Sequence, residues 1–483
     1  MRSGMIATIL LRKKAAISLF LLCFHTCAFT QVSPYPVVVE ETIQEGLVPV
    51  ITESPLCSRF FLPHQKDKRY EACITAENEL SQPLREFQLG TLILPLDQHE
   101  GRLILKSSAN LGNRDAMYAL AQSYEVYRES DADDEQSFYW YQQAARKGNS
   151  LAQWRLGDMY YNGIGTQRNL TKAFYWHLKA ANQGVPESQF IVAKSYEKGE
   201  GVEQNYHLAF EWYLRAAEHG NVSAYGKLGD IFYYTEFGKQ DYAQAAMWYK
   251  KAAALGSPCA QYQLGAMYTS ATGLAHNSKQ GFYWLNQAAL QNFTPAQSLY
   301  GRLLLSTNEQ RNCAIAHQWL QKAAQKGDVE ASLTLGKMYH RGKCAPQDFR
   351  QAARYYQQAS NGGSVQAHAS LGMFYHQGLG VPKNYMLAAR CYEFAAKRGN
   401  TLAQFNLSTL YQDGKGVEKN GIKAYAWADL AADSGLESAT QARRLIGNWL
   451  TYNELRRAQN LAAQLVDHKL PALGASRPID CNY

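Results

Sequence analysis

A repeat of 36 residues runs through most of this 483-residue chain and limits its fold more than any other feature. Nine times, a pair of small residues is followed by two spacers and a residue that tolerates a left-handed backbone, which is how α-helices commonly end. These terminal residues are Gly148, Gly184, Gly220, Gly256, Asn292, Gly327, Gly363, Gly399 and Gly435, with one step of 35 between Asn292 and Gly327. Such a period predicts stacked units, because one unit cannot bury its own apolar face.

Each unit contains the pattern of two helices. In the first helix, a small residue, a leucine and an aromatic residue follow one another at intervals of four, as Ala152, Leu156 and Tyr160 do, so they share one helical face. The residue after the leucine position is always small, which lets a neighbouring helix approach closely. In seven copies the second helix carries a tryptophan four residues before its small pair. This shared position indicates that the tryptophans are core residues.

The unit from Ala152 through the Gly163/Gly165 turn to Trp176 and Gly184 resembles a Sel-one-like repeat, a branch of the tetratricopeptide-repeat superfamily. The resemblance implies an all-α fold, an α-solenoid superhelix of about nine 36-residue helix-turn-helix units. We therefore divide the chain into a signal peptide or N-terminal anchor (1–30), a region of unknown fold (31–105), the solenoid (106–437), a C-terminal helical cap (438–470) and a tail (471–483).

The first thirty residues have the composition of a secretory signal peptide. A basic stretch ending at Lys14 leads into the apolar run 15–29, which is short for a membrane-spanning helix. An uncleaved membrane anchor remains an alternative. Without these residues the formal net charge falls from +8 to +4, because they hold four bases and no acid. So small a charge, with no basic run, argues against a nucleic-acid partner.

Seven cysteines lie beyond this segment, so at least one is unpaired within the chain. In an oxidising compartment we expect Cys57 to pair with Cys73, and Cys313 to pair with Cys344 between the loops of neighbouring repeats. Cys259 and Cys391 stand at helix positions otherwise taken by packing residues. We expect both to be small buried thiols.

The sequence contains no set of residues that predicts catalysis. The match of Ser195 and Lys198 to a penicillin-binding motif has no companion motif, and Ser195 stands where other repeats have methionine. No Cys/His set has zinc spacing. We therefore expect no enzyme, no cofactor and no metal site.

The variable positions of the first helix predict a partner-binding surface. One residue before and two residues after the leucine position, side chains differ freely between repeats while the core stays fixed. We predict that a concave face formed by these positions docks a protein, with the alternative that they are merely solvated. They include Arg155, Asp158, Lys194, Lys227, Asp230, Arg302 and Lys337.

Together these observations favour an exported, non-enzymatic scaffold in the bacterial periplasm or cell envelope, or secreted. The resemblance implies protein partners and a role in host-cell interaction. Two alternatives stay open: a periplasmic regulator that binds a cell-wall enzyme or peptidoglycan, and a luminal adaptor of a secretory pathway. Membrane contact would occur only through an uncleaved N-terminal segment.

Overall fold

The computed structural model describes residues 55–60, 69, 72–73, 75–76, 80–234, 236–238, 240–307 and 309–467. The chain divides into two units, Met1–Ile74 and Thr75–Tyr483. In the first unit, helix α1 (Pro55–Phe60) carries Cys57, which forms a disulfide with Cys73 (S–S 2.05 Å). The predicted signal peptide and tail lie outside the described residues, in which no helix has the length and apolarity needed to cross a bilayer.

The second unit is a stack of helix pairs. A first pair, α2 (Gln82–Ile93) and α3 (Gln98–Asn110), precedes the nine repeats. The repeats are α4 (Arg114–Val126) with α5 (Asp131–Arg146), α6 (Ser150–Asn162) with α7 (Leu170–Asn182), α8 (Pro186–Lys198) with α9 (Tyr206–Glu218), α10 (Val222–Tyr233) with α11 (Tyr242–Ala254), α12 (Pro258–Ser270) with α13 (Ser278–Leu290), α14 (Thr294–Ser306) with α15 (Gln310–Gln325), α16 (Val329–Arg341) with α17 (Phe349–Asn361), α18 (Val365–Gln377) with α19 (Tyr385–Ala396), and α20 (Thr401–Asp413) with α21 (Gly421–Asp433). Helices α22 (Glu437–Gly447) and α23 (Tyr452–Asp467) follow.

This arrangement is the predicted all-α solenoid. The predicted border between residues 105 and 106 falls inside α3, so helical packing begins earlier than expected, at α2. Repeat 4 departs from the usual loop, with a short 3-10 turn at Glu236–Gly238 between α10 and α11. In repeat 5, Ala271 adopts the left-handed conformation that a glycine has at this place in most other repeats.

Side chains and glycines at the helix ends explain why each helix starts and stops where it does. The Asn149 side chain accepts a hydrogen bond from the Ala152 amide at the start of α6, and Asn169 caps α7 in the same way. Asn292 adopts a φ of +63°, the left-handed conformation that its place among the terminal glycines predicts.

The core follows the repeat pattern. Leu156 and Leu228 are fully buried. Three of the seven repeat tryptophans, Trp140, Trp212 and Trp427, are at most 7% exposed, whereas the other four are only partly buried: Trp176, Trp248, Trp284 and Trp319. A methyl group added to Gly229 would lie 2.4 Å from the Tyr249 ring, which explains why this position is small. The largest fully buried side chains include tyrosines that directly follow the tryptophan position, a layer that the sequence analysis did not identify: Tyr141, Tyr213, Tyr249, Tyr356 and Tyr392.

The cysteines depart from the sequence predictions in two respects. Cys313 and Cys344 form a disulfide, but Cys313 lies in the first turn of α15 rather than in a loop. Cys259 is buried, as expected, but it is disulfide-bonded and is not a free thiol. Cys391 is free and half-buried, and burial raises the pKa of its thiol to about 11.

The two layers of the stack are not equivalent. Between neighbouring helix pairs from α2 to α21, the alternate helices that approach most closely are first helices: α2 with α4, α10 with α12, α14 with α16, and α18 with α20. The first helices therefore form the crowded, inner layer of the stack, and the second helices form the outer layer. Charged side chains on first helices are consequently within reach of the next repeat.

Candidate functional site

Two of the predicted surface residues belong to ion pairs that join neighbouring repeats. Arg155 on α6 pairs with Glu125 on α4, and two repeats later Lys227 on α10 pairs with Glu197 on α8 (2.9 Å). A buried tyrosine supports each carboxylate: the Tyr141 hydroxyl donates to Glu125 at 2.8 Å, and Tyr213 donates to Glu197 at 2.5 Å. These charges hold one repeat against the next.

Other predicted surface residues are also engaged by neighbouring groups. Arg302 lies 3.6 Å from Glu330 of the next repeat. The Lys337 ammonium group donates to Gln366 at 2.9 Å.

Asp230 differs most from the prediction, because it is only 8% exposed and accepts a hydrogen bond from the Tyr249 hydroxyl at 2.6 Å. It belongs to the interior and not to a docking surface.

Lys194 lies on the inner layer with its ammonium group 5.6 Å from the centre of the Phe190 ring. Burial, followed by the neighbouring charge of Lys198, lowers the pKa of Lys194. The seven predicted residues are thus spread over five first helices and do not form one site. Arg155 and Asp158 line one cleft together.

That cleft opens between repeats 1 and 2 and has a volume of about 460 Å³. Its charged walls combine three carboxylates with two guanidinium groups. Arg128 pairs with Asp134 at 2.9 Å, and Arg155 lies 3.6 Å from Asp158. The lining residues are Glu125, Arg128, Asp134, Ser137, Arg155, Asp158, Met159, Asn162 and Ile164. Sequence reasoning missed Arg128 and Asp134, although the acidic run at the start of α5 was a visible signal.

A buried histidine lies next to this cleft. His177 stands in the place of the buried tyrosines of other repeats, is 2% exposed, and has its Nε2 atom 3.6 Å from an Asp158 carboxylate oxygen. Burial lowers the pKa of His177 to about 4. Burial also raises the pKa of Asp158 to about 6, against the opposing charge of Arg155. At neutral pH a neutral imidazole therefore faces an ionised carboxylate.

The cleft offers hydrogen-bond donors, acceptors and charges of both signs, which suit the recognition of polar side chains. In the described part of the chain, no group of three or more His, Cys, Asp or Glu side chains is placed to hold a metal ion.

Comparisons with known proteins give a consistent result. Nine segments match the family model described as Sel1 repeat: 114–149, 150–185, 186–221, 222–257, 260–293, 294–328, 329–364, 365–400 and 401–436. No curated protein sequence matches the chain.

Among solved structures, a protective antigen present in uropathogenic Escherichia coli strains, with an SLR fold, is 26% identical. The match covers 85% of this chain and 98% of the antigen, with a TM-score of 0.61. A Sel1 repeat protein from Oxalobacter formigenes is 23% identical over 76% of this chain and 95% of its own, with a TM-score of 0.37.

Proposed function

The chain belongs to the Sel1 repeat family, and from this premise we propose that it is an exported, non-enzymatic scaffold that docks a partner protein on its inner layer. Sel1 repeat proteins generally mediate protein–protein interactions and are typically non-catalytic. A fold alone does not identify a partner, so the proposal depends on a specific site.

The cleft between repeats 1 and 2 carries this proposal. It is the place where predicted surface residues, Arg155 and Asp158, border a cavity of about 460 Å³. Elsewhere on the first helices, Lys227 and Arg302 pair with carboxylates of neighbouring repeats, Glu197 and Glu330. A partner side chain that enters the cleft would meet charged groups of both signs that are already held in position, which lowers the ordering cost of binding.

Two observations support export as part of the proposal. Disulfides persist in oxidising compartments, and this chain joins Cys57 to Cys73 and Cys313 to Cys344. The similar structure from uropathogenic Escherichia coli strains is described as that of a protective antigen. By similarity, we propose that this chain is located in the periplasm or cell envelope, or outside the cell, and that it takes part in host interaction.

The test blocks the cleft with a large side chain. Ile164, which is 41% exposed, lies in the Gly163/Gly165 turn at the cleft, so Ile164→Trp places an indole there. Residues 31–483 and this variant serve as baits for envelope and host-cell extracts, and any captured protein is then purified and titrated. We expect saturable binding that weakens about tenfold or more in the variant, because a clash at the docking site selects against the partner.

Lys415→Trp is the matched control, since Lys415 occupies the same position in the Gly414/Gly416 turn and its side chain is 49% exposed. Its affinity for the partner should equal that of the unmodified chain. Equal weakening by both variants, or no saturable partner from either extract, would contradict the proposal. N-terminal sequencing of the protein recovered outside the cytoplasm tests export separately.

A further inference from the structure

The outer layer of the stack carries a row of bases that the inner-layer proposal does not use. In repeats 2, 3, 4 and 6, a base stands three residues after the tryptophan of the second helix. In repeats 7 and 8, where Tyr355 and Cys391 take the place of the tryptophan, an arginine stands one residue before that place. These two positions are four residues apart, so they share one helical face. We call this set the outer row: Lys179, Arg215, Lys251, Lys322, Arg354 and Arg390.

All six side chains of the outer row are exposed, and none forms an ion pair in the described part of the chain. On the first helices, by contrast, Arg155, Lys227 and Arg302 pair with carboxylates of neighbouring repeats. Helices α7, α11, α13, α15 and α17 contain no aspartate or glutamate. On these five helices of the outer layer, no carboxylate offsets the positive charge that the row offers a partner.

Aromatic rings hold several of these bases in position. The Arg215 guanidinium lies 4.5 Å from the centre of the Trp212 ring, and Lys251 and Lys322 lie 4.3 Å and 4.5 Å from Trp248 and Trp319. Such cation–π contacts order long side chains without neutralising their charge.

In repeat 5, which has no base at either position, Tyr283 stands in the row and is 52% exposed. Glu211, the one carboxylate at the equivalent positions of repeats 2–8, lies 3.5 Å from His207.

We propose that the outer row binds a linear anionic polysaccharide that carries one acidic group per disaccharide. Each repeat from the second to the eighth contributes one base, except for the tyrosine of repeat 5. Successive second helices are separated by at least a helix diameter, on the order of 10 Å, so neighbouring bases of the row are at least about one disaccharide apart. Exposed Tyr175 and Tyr283 rings offer flat faces on which the C–H groups of a sugar ring pack.

The spacing of the bases favours this ligand over a nucleic acid. A nucleic-acid strand carries one negative charge about every 3.4 Å, so most of its phosphates would find no base along the row. A compact acidic protein presents its charges as a patch and not as a line, and it would use only part of the row.

The test titrates the full chain with a size-defined hyaluronate oligosaccharide, which carries one carboxylate per disaccharide, and follows tryptophan fluorescence and heat of binding. The row variant is Lys179→Gln, Lys251→Gln and Lys322→Gln together. The control variant removes the same charge from exposed lysines outside the row: Lys106→Gln, Lys383→Gln and Lys419→Gln. Equal melting temperatures of both variants and the unmodified chain establish that all three proteins are folded.

We expect the row variant to bind hyaluronate about tenfold or more weakly than the unmodified chain. Its affinity should also depend less on the salt concentration, because fewer counterions are released on binding. The control variant should bind like the unmodified chain, and neutral dextran should not bind. Equal losses in both variants would overturn the proposal, as would no binding of hyaluronate at low salt. Tighter binding of oligothymidylate than of hyaluronate would also overturn it, in favour of a nucleic acid.

Discussion

At the scale of single residues, buried tyrosines of the second helices hold the carboxylates that form ion pairs between repeats. Tyr141 and Tyr213 donate to Glu125 and Glu197, and these carboxylates then pair with bases of the next repeat. Repeat 2 departs from this arrangement, because His177 replaces the tyrosine and makes a longer contact with Asp158. Asp158 therefore lacks the hydroxyl donor that Asp230 receives from Tyr249.

This difference gives a prediction about pH. Burial raises the pKa of Asp158 to about 6 in the folded chain, above its value in the unfolded chain, so ionisation of Asp158 above pH 6 destabilises the fold. Asp158→Asn should therefore raise the free energy of unfolding at pH 7 by about 1–2 kcal/mol, a value discounted for solvent screening.

The gain should fade as the pH falls from 6 to 4, where Asp158 of the unmodified chain is protonated and already neutral. Urea unfolding of both proteins at pH 7 and pH 4.5 measures it. A gain of the same size at both pH values would refute this account, and Asp413→Asn, at an exposed carboxylate, is the control.

At the scale of helices and turns, the second glycine of each Gly-x-Gly turn approaches the start of the preceding second helix. A methyl group on Gly380 would lie 2.2 Å from the Phe349 carbonyl group, and one on Gly416 would lie 2.2 Å from that of Tyr385. In repeat 7 the equivalent residue is Cys344, which keeps a left-handed φ of +64° and bonds to Cys313 at the start of α15. A covalent bond thus takes the place of close backbone packing.

We predict that Cys313→Ser lowers the free energy of unfolding by about 2–4 kcal/mol, because the disulfide no longer restricts the unfolded chain. Adding Cys344→Gly should recover about 1 kcal/mol, since glycine adopts a positive φ without steric cost. Urea unfolding under non-reducing conditions compares the single variant, the double variant and the unmodified chain.

If the double variant were less stable than Cys313→Ser alone, the backbone at Cys344 would not be strained. Cys391→Ser is the control that removes a cysteine without removing a disulfide, because Cys391 is free.

At the scale of the whole molecule, the stack is held together by contacts between neighbouring repeats, and its last apolar face needs a cover. The described residues provide it at the C-terminal end, where Ile446 of α22 and Ala458 of α23 pack against Tyr425 and Ala428 of α21. Stability in such a stack is approximately a sum over repeats and their interfaces. Damage at one end is therefore expected to remain local.

Removing residues 437–483 should uncover α21 and destabilise the ninth repeat first. We expect faster amide hydrogen exchange in α20 and α21, with unchanged protection in α6 and α7, because the distant repeats keep their own neighbours. Hydrogen exchange measured by mass spectrometry on the full and shortened chains compares these regions. Uniform loss of protection along the stack would show that the repeats unfold as one unit, against this expectation.

The sequence by itself determined the period, the helix pairs and the helix stops, including the left-handed conformation of Asn292. These features depend on contacts within one unit, and nine copies make their pattern visible. Only the tertiary structure decided which charges remain available to a partner. Arg155 pairs with Glu125 of the preceding repeat, Asp230 is buried and accepts a hydrogen bond from Tyr249, and the outer row is exposed. Each of these outcomes depends on how neighbouring helices pack, which the pattern within one repeat does not determine.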